Sequence, residues 1–167
     1  ITSQIANEIN KTFYEVILAK GFDKNALKIL KKKIKMRIID ISEIKNYKKT
    51  SIKFFGKSFL LQNENNIIFD KKKLKFVSKI KPNTREIKEI DFAFKVCKYV
   101  KSNAIVITNN FSTIGIGAGQ QNRLDSCKIA VSKAKKFQPS KLMNSIAASD
   151  AFFPFPDGVQ ALINAGV

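Results

Sequence analysis

The spacing of apolar residues along the chain predicts a succession of helices and strands. Apolar residues three or four positions apart lie on one face of a helix, as do Ile5, Ile9 and Phe13 near the start of the chain. Short polar side chains precede several of these patterns and are suitable helix N-caps. The predicted helices are 3–13, 24–33 with Asp23 as its N-cap, 85–100 with Thr84 as its N-cap, 121–136, and one capped by Asp157 that ends at Ala165-Gly166.

Short apolar runs between these helices predict strands at 14–18, 36–41, 104–107, 111–118 and 145–148. A turn at Asn109-Asn110 makes the third and fourth of these strands antiparallel. The region 45–81 has a different pattern, in which 51–62 and 67–70 predict a hairpin that turns at 63–66. The alternation of helices and strands in the rest of the chain favours an α/β fold.

The stretch Ser112–Arg123 contains three of the seven glycines of the chain, at positions 115, 117 and 119. A strand that passes through glycine into the start of a helix presents free backbone N–H groups, which suit an anion. A hairpin strand whose glycines only relieve crowding against a neighbouring element has the same spacing. The residues of this stretch leave both interpretations open.

Composition limits the classes of protein. A chain of 167 residues forms one ordinary domain or two small ones. No apolar run approaches the roughly 20 residues of a membrane span, and the first residues are not those of a signal peptide. Cys97 and Cys127 have neither disulfide-framework nor metal-ligand spacing, so we expect reduced, buried thiols in a cytoplasmic protein. The chain has no histidine, so chemistry that needs imidazole must obtain it elsewhere.

The net charge of +18 raises the alternative of a lysine-rich nucleic-acid-binding module. Only Arg37, Arg85 and Arg123 of the 31 basic residues are arginine, whereas proteins that read bases and phosphates favour its bidentate fork. The basic run Lys71 to Lys75, with apolar neighbours, fits either a nucleic-acid surface or an edge strand protected by lysine. The composition favours the edge strand.

Three blocks carry a resemblance to a known family: Lys101-Ser-Asn-Ala-Ile-Val, Thr113-Ile-Gly-Ile-Gly-Ala-Gly-Gln-Gln-Asn-Arg123 and Ser149-Asp-Ala-Phe-Phe-Pro-Phe-Pro-Asp-Gly158. In this order and spacing they resemble the AICAR transformylase part of the bifunctional purine biosynthesis proteins. That family joins AICAR formyltransferase activity to an IMP cyclohydrolase domain. The likeness includes 26–33, spans nearly the whole chain and is least clear at 45–81.

The resemblance implies an α/β fold made of cytidine-deaminase-like α/β/α layers, with a mixed sheet and flanking helices. Residues 1–81 are then the end of a first subdomain with a connecting hairpin region, and 82–167 are a second subdomain that is incomplete at its C-terminus. The cyclohydrolase domain and the Lys-His pair that drives formyl transfer are expected before Ile1. A further arginine and a histidine are expected after Val167. The chain alone is therefore expected to be inactive.

The function implied is transfer of a formyl group from 10-formyltetrahydrofolate to AICAR in de novo IMP synthesis. The parent protein is expected to be an IMP cyclohydrolase as well, and a cytoplasmic homodimer with active sites at the subunit interface. Neither specific nucleic-acid binding nor a membrane is expected. A degenerate relative kept for structure or assembly is a further interpretation that the residues permit.

Matching motif by motif, the resemblance also implies which residues form the site. Flat aromatic side chains cover planar heterocycles, and amide or carboxylate groups orient them. Without the family, Asp157 is typical of a helix N-cap and the phenylalanines are typical of core. The implied substrate-binding residues are Asn103 at the carboxamide, Arg123 at the AICAR nucleotide, Phe152 and Asp157, and the implied folate-side residues are Leu124, Pro154 and Phe155.

Family members also hold a potassium ion beside this site, and Ser102 and Asp150 match two of its ligand positions. Val100 and Ala104 depart from the hydroxyl residues found in some relatives, although backbone carbonyls can also serve as ligands. Pro156 replaces the usual arginine after Phe-Pro-Phe, which removes a charge expected near the folate.

Overall fold

The computed structural model describes residues 1–44, 50–63 and 69–167. The chain divides into two compact units, Ile1–Asn65 and Asn66–Val167. Each unit combines helices with strands, so the predicted α/β class is confirmed. None of the helices in the described ranges has the length and apolar character needed to cross a membrane.

The first unit begins with a helix, which a β-α-β arrangement follows. Strands β1 and β2 pair in parallel, with Ile17 opposite Ile38, and a helix connects them, as a parallel connection requires. Its buried core consists of Ala6, Ala26, Leu30 and Met36. The elements are α1 Ser3–Asn10, β1 Val16–Ala19, α2 Lys24–Leu30 and β2 Arg37–Asp40.

The predicted apolar face of α1 is only partly right. Ile9 packs against the core, but Ile5 is 49% exposed and Phe13 is 80% exposed. The helix ends at Asn10, so Phe13 lies beyond it and does not share its apolar face. The fully buried residue of α1 is Ala6, whose small side chain belongs to the core.

The hairpin of the first unit differs from its prediction. Strands β3 Thr50–Phe55 and β4 Ser58–Asn63 pair in antiparallel fashion around a two-residue turn at Gly56-Lys57. Gly56 has φ +58°, which suits glycine in such a turn. The prediction of one strand over 51–62 was therefore wrong. Most of the predicted turn and second strand, at 64–68, lies outside the described residues.

The predicted edge strand at the basic run is also wrong. Lys71–Lys73 form a short 3-10 helix, and no strand follows it before the helix that begins at Thr84. Asp70 starts this turn, because its side chain accepts a hydrogen bond from the Lys72 backbone at 3.0 Å. Aspartate favours such local turns over extended structure.

The second unit is a three-layer arrangement around an antiparallel sheet with strand order β6-β5-β7. Because side chains alternate across a strand, Val106 packs on α3, whereas Ile105 and Ile107 pack with α4 and α5 on the other face. The described strands form no single mixed sheet, since the parallel pair lies in the first unit. The elements are α3 Thr84–Cys97, β5 Ile105–Asn109, β6 Ser112–Gly117, α4 Arg123–Phe137, β7 Ile146–Ser149 and α5 Pro156–Asn164.

Two helix starts differ from the predicted caps. Asn83, rather than Thr84, caps α3, since its side chain accepts from the backbone of Glu86 at 3.0 Å while Glu86 accepts from the Asn83 backbone at 2.7 Å. Helix α5 starts with Pro156 in its first turn, a position that proline favours. Asp157 therefore lies inside the first turn of α5 and is not its cap.

Candidate functional site

Close contact between β6 and α4 fixes the position of the residues that begin α4. A Cβ atom on Gly115 would lie 2.1 Å from the carbonyl oxygen of Ala130, and one on Gly117 would lie 1.9 Å from that of Ser126. Only glycine permits this approach of strand to helix. The crowding interpretation of these two glycines is confirmed.

The start of α4 gives no support to an anion site formed by backbone N–H groups. The side chain of Asn122 caps the helix and accepts from the backbone of Asp125 at 2.8 Å. The carboxylate of Asp125 lies in the first turn, where the helix dipole favours negative charge. The side chain of Asn122 thus already accepts from one of the backbone N–H groups that an anion would use.

Two separate segments contact the side chain of Arg123, the first residue of α4. Its Nη2 donates to Asn103 Oδ1 at 2.9 Å, from the loop that precedes β5. Its Nη1 donates to Ser149 Oγ at 2.8 Å and to the carboxylate of Asp150, where β7 ends. We call Asn103, Arg123, Ser149 and Asp150 the Arg123 network. The three partners of Arg123 in this network are between 20 and 27 positions from it in sequence.

Asn103 is itself held by several hydrogen bonds. Its Nδ2 donates to the carbonyl oxygens of Gln120 at 2.9 Å and Gln121 at 3.1 Å. The backbone carbonyl of Asn103 accepts from Ser126 Oγ at 2.7 Å. The loop before β5 is thereby fixed to the loop between β6 and α4, and this fixes the acceptor offered to Arg123.

Asp150 is a largely buried carboxylate with three donors. Ser102 Oγ donates to one oxygen, and Arg123 and the Ala104 backbone, at 3.1 Å, donate to the other. Burial raises the pKa of Asp150, but these hydrogen bonds and the guanidinium charge outweigh it, so the pKa lies below its usual value. Asp150 is therefore ionised at neutral pH and neutralises Arg123.

The Arg123 side chain is 10% exposed and that of Asp150 is 16% exposed, so the ion pair is mostly shielded from water. The guanidinium also lies over the ring of Phe153, with Cζ 6.0 Å from the ring centroid. Its Nε is buried and has no hydrogen-bond partner among the described residues. A buried donor without a partner costs about 1–3 kcal/mol, so this group suits an acceptor supplied by a ligand.

An open cleft of about 520 Å³ lies beside the Arg123 network, within the size range of small-molecule sites. All seven predicted substrate and folate residues line it. They come from the loop before β5, the start of α4, and the segment from the end of β7 into the first turn of α5. These residues are Asn103, Arg123, Leu124, Phe152, Pro154, Phe155 and Asp157.

The aromatic residues of the cleft divide into two kinds. Phe152 is 81% exposed and Phe155 is 69% exposed, so their interpretation as core is wrong. Phe153 is partly buried and packs against the main core cluster, as a core residue does. Exposed aromatic rings beside a cleft provide flat surfaces on which a planar ligand can stack.

Asp157 is exposed at the edge of the cleft. Its carboxylate accepts from the Gly158 backbone at 2.7 Å. It makes no capping hydrogen bond, because the N-cap position of α5 belongs to Phe155. The N-cap interpretation is wrong, and the carboxylate has further acceptor capacity for a ligand.

Ser102 and Asp150, the two implied potassium ligands, lie together, and Ser102 Oγ donates to the Asp150 carboxylate. Both Asp150 oxygens already accept hydrogen bonds, and Arg123 brings a positive charge to one of them. Across the described residues, no group of three or more histidine, cysteine, aspartate or glutamate side chains could hold a metal. The potassium site therefore stays a prediction.

Sequence reasoning missed two residues of this region as members of the site. Ser149 accepts from Arg123, and Phe153 supports the guanidinium. Both lie within the block from Ser149 to Gly158, so their sequence position was the available signal. Their contacts with Arg123 depend on the tertiary fold and have no local pattern.

Comparison with known proteins identifies the family of the chain. The family model described as AICARFT/IMPCHase bienzyme matches residues 1–133. The chain belongs to this family of bifunctional enzymes of purine biosynthesis.

Relatives named "Bifunctional purine biosynthesis protein PurH" match essentially the whole chain. The protein from Nostoc sp. is 41% identical over 100% of this chain and 32% of its own length. The protein from Thermoanaerobacter sp. is 41% identical over 97% of this chain and 31% of its own length. That from Bartonella tribocorum is 40% identical over 99% of this chain and 32% of its own length. The chain thus spans about a third of the length of the curated relatives it matches.

Proposed function

We propose that this chain carries part of the AICAR-binding site of an AICAR formyltransferase whose cosubstrate is 10-formyltetrahydrofolate. The observation that supports the proposal most directly is the cleft that brings seven motif residues together beside Arg123. The family and the name of the relatives support the same pathway. The parent protein is proposed to be an IMP cyclohydrolase as well.

Binding of AICAR is assigned to the Arg123 network and the exposed residues beside it. Arg123 and Asn103 orient polar groups of the nucleotide, Phe152 covers the planar ring, and Asp157 accepts from a ligand N–H group. Formyl transfer requires a weakly nucleophilic amine to be held against a carbon donor, so such positioning supplies much of the rate.

The folate side is assigned to Leu124, Pro154 and Phe155. These residues give an apolar surface at the same cleft, which suits the flat ring system of a folate. Pro156 supplies no charge here, so contacts with the folate at this position are apolar.

Proton transfer is assigned to residues that are not among these 167. The chain contains no histidine, whereas the proposed chemistry requires a group that accepts and donates a proton. We accordingly expect no turnover from the chain by itself. The same proposal includes cytidine-deaminase-like subdomains at 1–81 and 82–167, a homodimer with active sites at its interface, and a cytoplasmic location.

The test is a folate-dependent formylation assay of the complete gene product that contains this sequence. Arg123→Ala is expected to lower kcat/KM by about 10²–10³-fold, the usual effect of losing one oriented charge-bearing donor. Asn103→Ala is expected to lower it less, because Arg123 keeps its bond to Asp150. Unchanged kcat/KM in both variants would contradict the site assignment, and turnover by the 167-residue chain would contradict its proposed inactivity.

A further inference from the structure

The position of Asp150 suggests a role that depends on Arg123. Its carboxylate is anchored to the end of the sheet, since it accepts from the Ala104 backbone and from Ser102. On the same side it accepts from Arg123 Nη1. An anchored carboxylate that also bonds a long side chain restricts that side chain to one orientation.

We propose that Asp150 is a positioning residue, which holds the Arg123 guanidinium ready for a ligand and affects ligand binding only through Arg123. The identity of the ligand as AICAR rests on the proposed function above. The orientation of Arg123 by Asp150 does not.

The energetics favour this role for Asp150 over the neutral partners of Arg123. A charge-assisted hydrogen bond is about twice as strong as a neutral one, and Asn103 and Ser149 offer only neutral oxygens. Free arginine side chains carry about 2 kcal/mol of rotamer entropy, which a ligand must otherwise overcome. Because Asp150 orders Arg123 beforehand, a ligand that uses the remaining N–H groups meets a preorganised donor.

Arginine side-chain NMR tests the orientation directly, without any ligand. The chain has only three arginines, so a ¹⁵N-arginine sample gives three Nε–H signals, which Arg123→Lys assigns. Arg37 and Arg85 are exposed and serve as internal references. We expect the Arg123 Nε–H to exchange with water at least about tenfold more slowly than that of Arg37, because it is buried.

Asp150→Asn is expected to raise the exchange rate of the Arg123 Nε–H by about tenfold or more. The matched control is Asp91→Asn, which removes the charge of another partly buried aspartate that pairs with Lys95 at 2.9 Å. This control should leave the Arg123 signal unchanged. An unchanged exchange rate in folded Asp150→Asn would overturn the proposal.

A double-mutant cycle of AICAR affinity, measured by calorimetry on the complete gene product that contains this sequence, tests whether Asp150 acts through Arg123. Asp150→Asn and Arg123→Lys are each expected to weaken binding by about 10–100-fold, while the double variant binds no more weakly than Arg123→Lys alone. Losses that simply add would show that Asp150 acts independently of Arg123, against the proposal. Thermal unfolding of each variant verifies that the protein remains folded.

Two further outcomes are distinguishable. If the unmodified complete gene product does not bind AICAR, the proposed function fails, while the exchange rates of the chain still decide whether Asp150 orders Arg123. If Asp150→Asn does not fold, Ser102→Ala removes only the hydroxyl that anchors Asp150. It should then raise the Arg123 exchange rate in the same direction by a smaller factor, and no change would overturn the proposal.

Discussion

Two carboxylates with little exposed area, one buried and one partly buried, lie at opposite ends of strand β5, and their partners differ. Where β5 begins, Asp150 accepts from the side chain of Arg123, which borders an open cleft and keeps a buried N–H without a partner among the described residues. Where β5 ends, Glu89 of α3 accepts from a single backbone N–H, that of Phe111, at 2.8 and 3.0 Å.

The second arrangement has a structural explanation. Phe111 lies in the two-residue turn between β5 and β6, where both Asn110 and Phe111 have positive φ, at 53° and 55°. Non-glycine residues rarely adopt this conformation, and the Glu89 carboxylate stabilises it by accepting the turn N–H. A buried charge is therefore not a sign of a binding site by itself; what matters is whether its partner is also available to a ligand.

Replacement of Glu89 tests the structural role of the second carboxylate. Glu89→Ala leaves the partly buried N–H of Phe111 without its charged acceptor, so we expect the free energy of unfolding to fall by about 2–3 kcal/mol. Urea denaturation of the chain measures the loss. AICAR affinity of the folded fraction should stay the same, and a large loss of affinity would show that the two ends of β5 are not independent.

Gly117→Ala is expected to affect the region of the cleft, because Gly117 lies opposite Ile105 at the start of β5. The added methyl group would overlap the Ser126 carbonyl of α4, so the helix must shift, at a cost of about 1–3 kcal/mol in unfolding free energy. Because Arg123 begins α4, AICAR affinity should fall too. Ser112→Ala, at an exposed position of the same strand, is the control, and equal effects of the two substitutions would contradict the role of close packing.

Part of the fold could be predicted from the sequence, and part could not. Strands at 105–109 and 112–117 follow from a local apolar pattern and were placed within one or two residues. The turn at Gly56 was missed, although Gly56-Lys57-Ser58 separates the apolar residues on either side, because a glycine within a strand pattern is also compatible with a strand that continues.

The site shows the same limit. The motifs identified which residues belong to it, but the ion pair between Arg123 and Asp150 joins positions 27 residues apart and depends on how β7 lies beside β5. A local pattern does not contain that information. The same holds for Phe153, which the sequence does not distinguish from its exposed neighbour Phe152.

Substitution of these two neighbours separates binding from stability. Phe152→Ala should weaken AICAR binding by about tenfold, the typical value of one stacked ring, with little effect on unfolding. Phe153→Ala should lower the free energy of unfolding by about 2–3 kcal/mol, because the ring packs against the core. Calorimetry and urea denaturation of both variants measure the two quantities, and the reverse assignment would show that the exposed ring is not the ligand surface.

The smallest expected effect is that of potassium. Since Arg123 already supplies positive charge to Asp150, the exchange rate of the Arg123 Nε–H should be the same in KCl and in NaCl of equal concentration. Arg85, which is exposed and bonds Asn110 at 3.1 Å, reports any general effect of salt. Faster exchange of Arg123 in KCl alone would show that potassium competes for Asp150, as the family resemblance implies.

The most direct test of the proposed binding site is a titration of AICAR into the ¹⁵N-labelled chain, followed by backbone amide and arginine Nε–H shifts. We expect saturable shifts confined to three segments, 101–104, 119–125 and 149–158, together with the Arg123 Nε–H, and none at the turn that Glu89 supports. Shifts at the lysine-rich run 71–75 but not in these segments, or no shifts at all, would contradict the assignment of this cleft to AICAR.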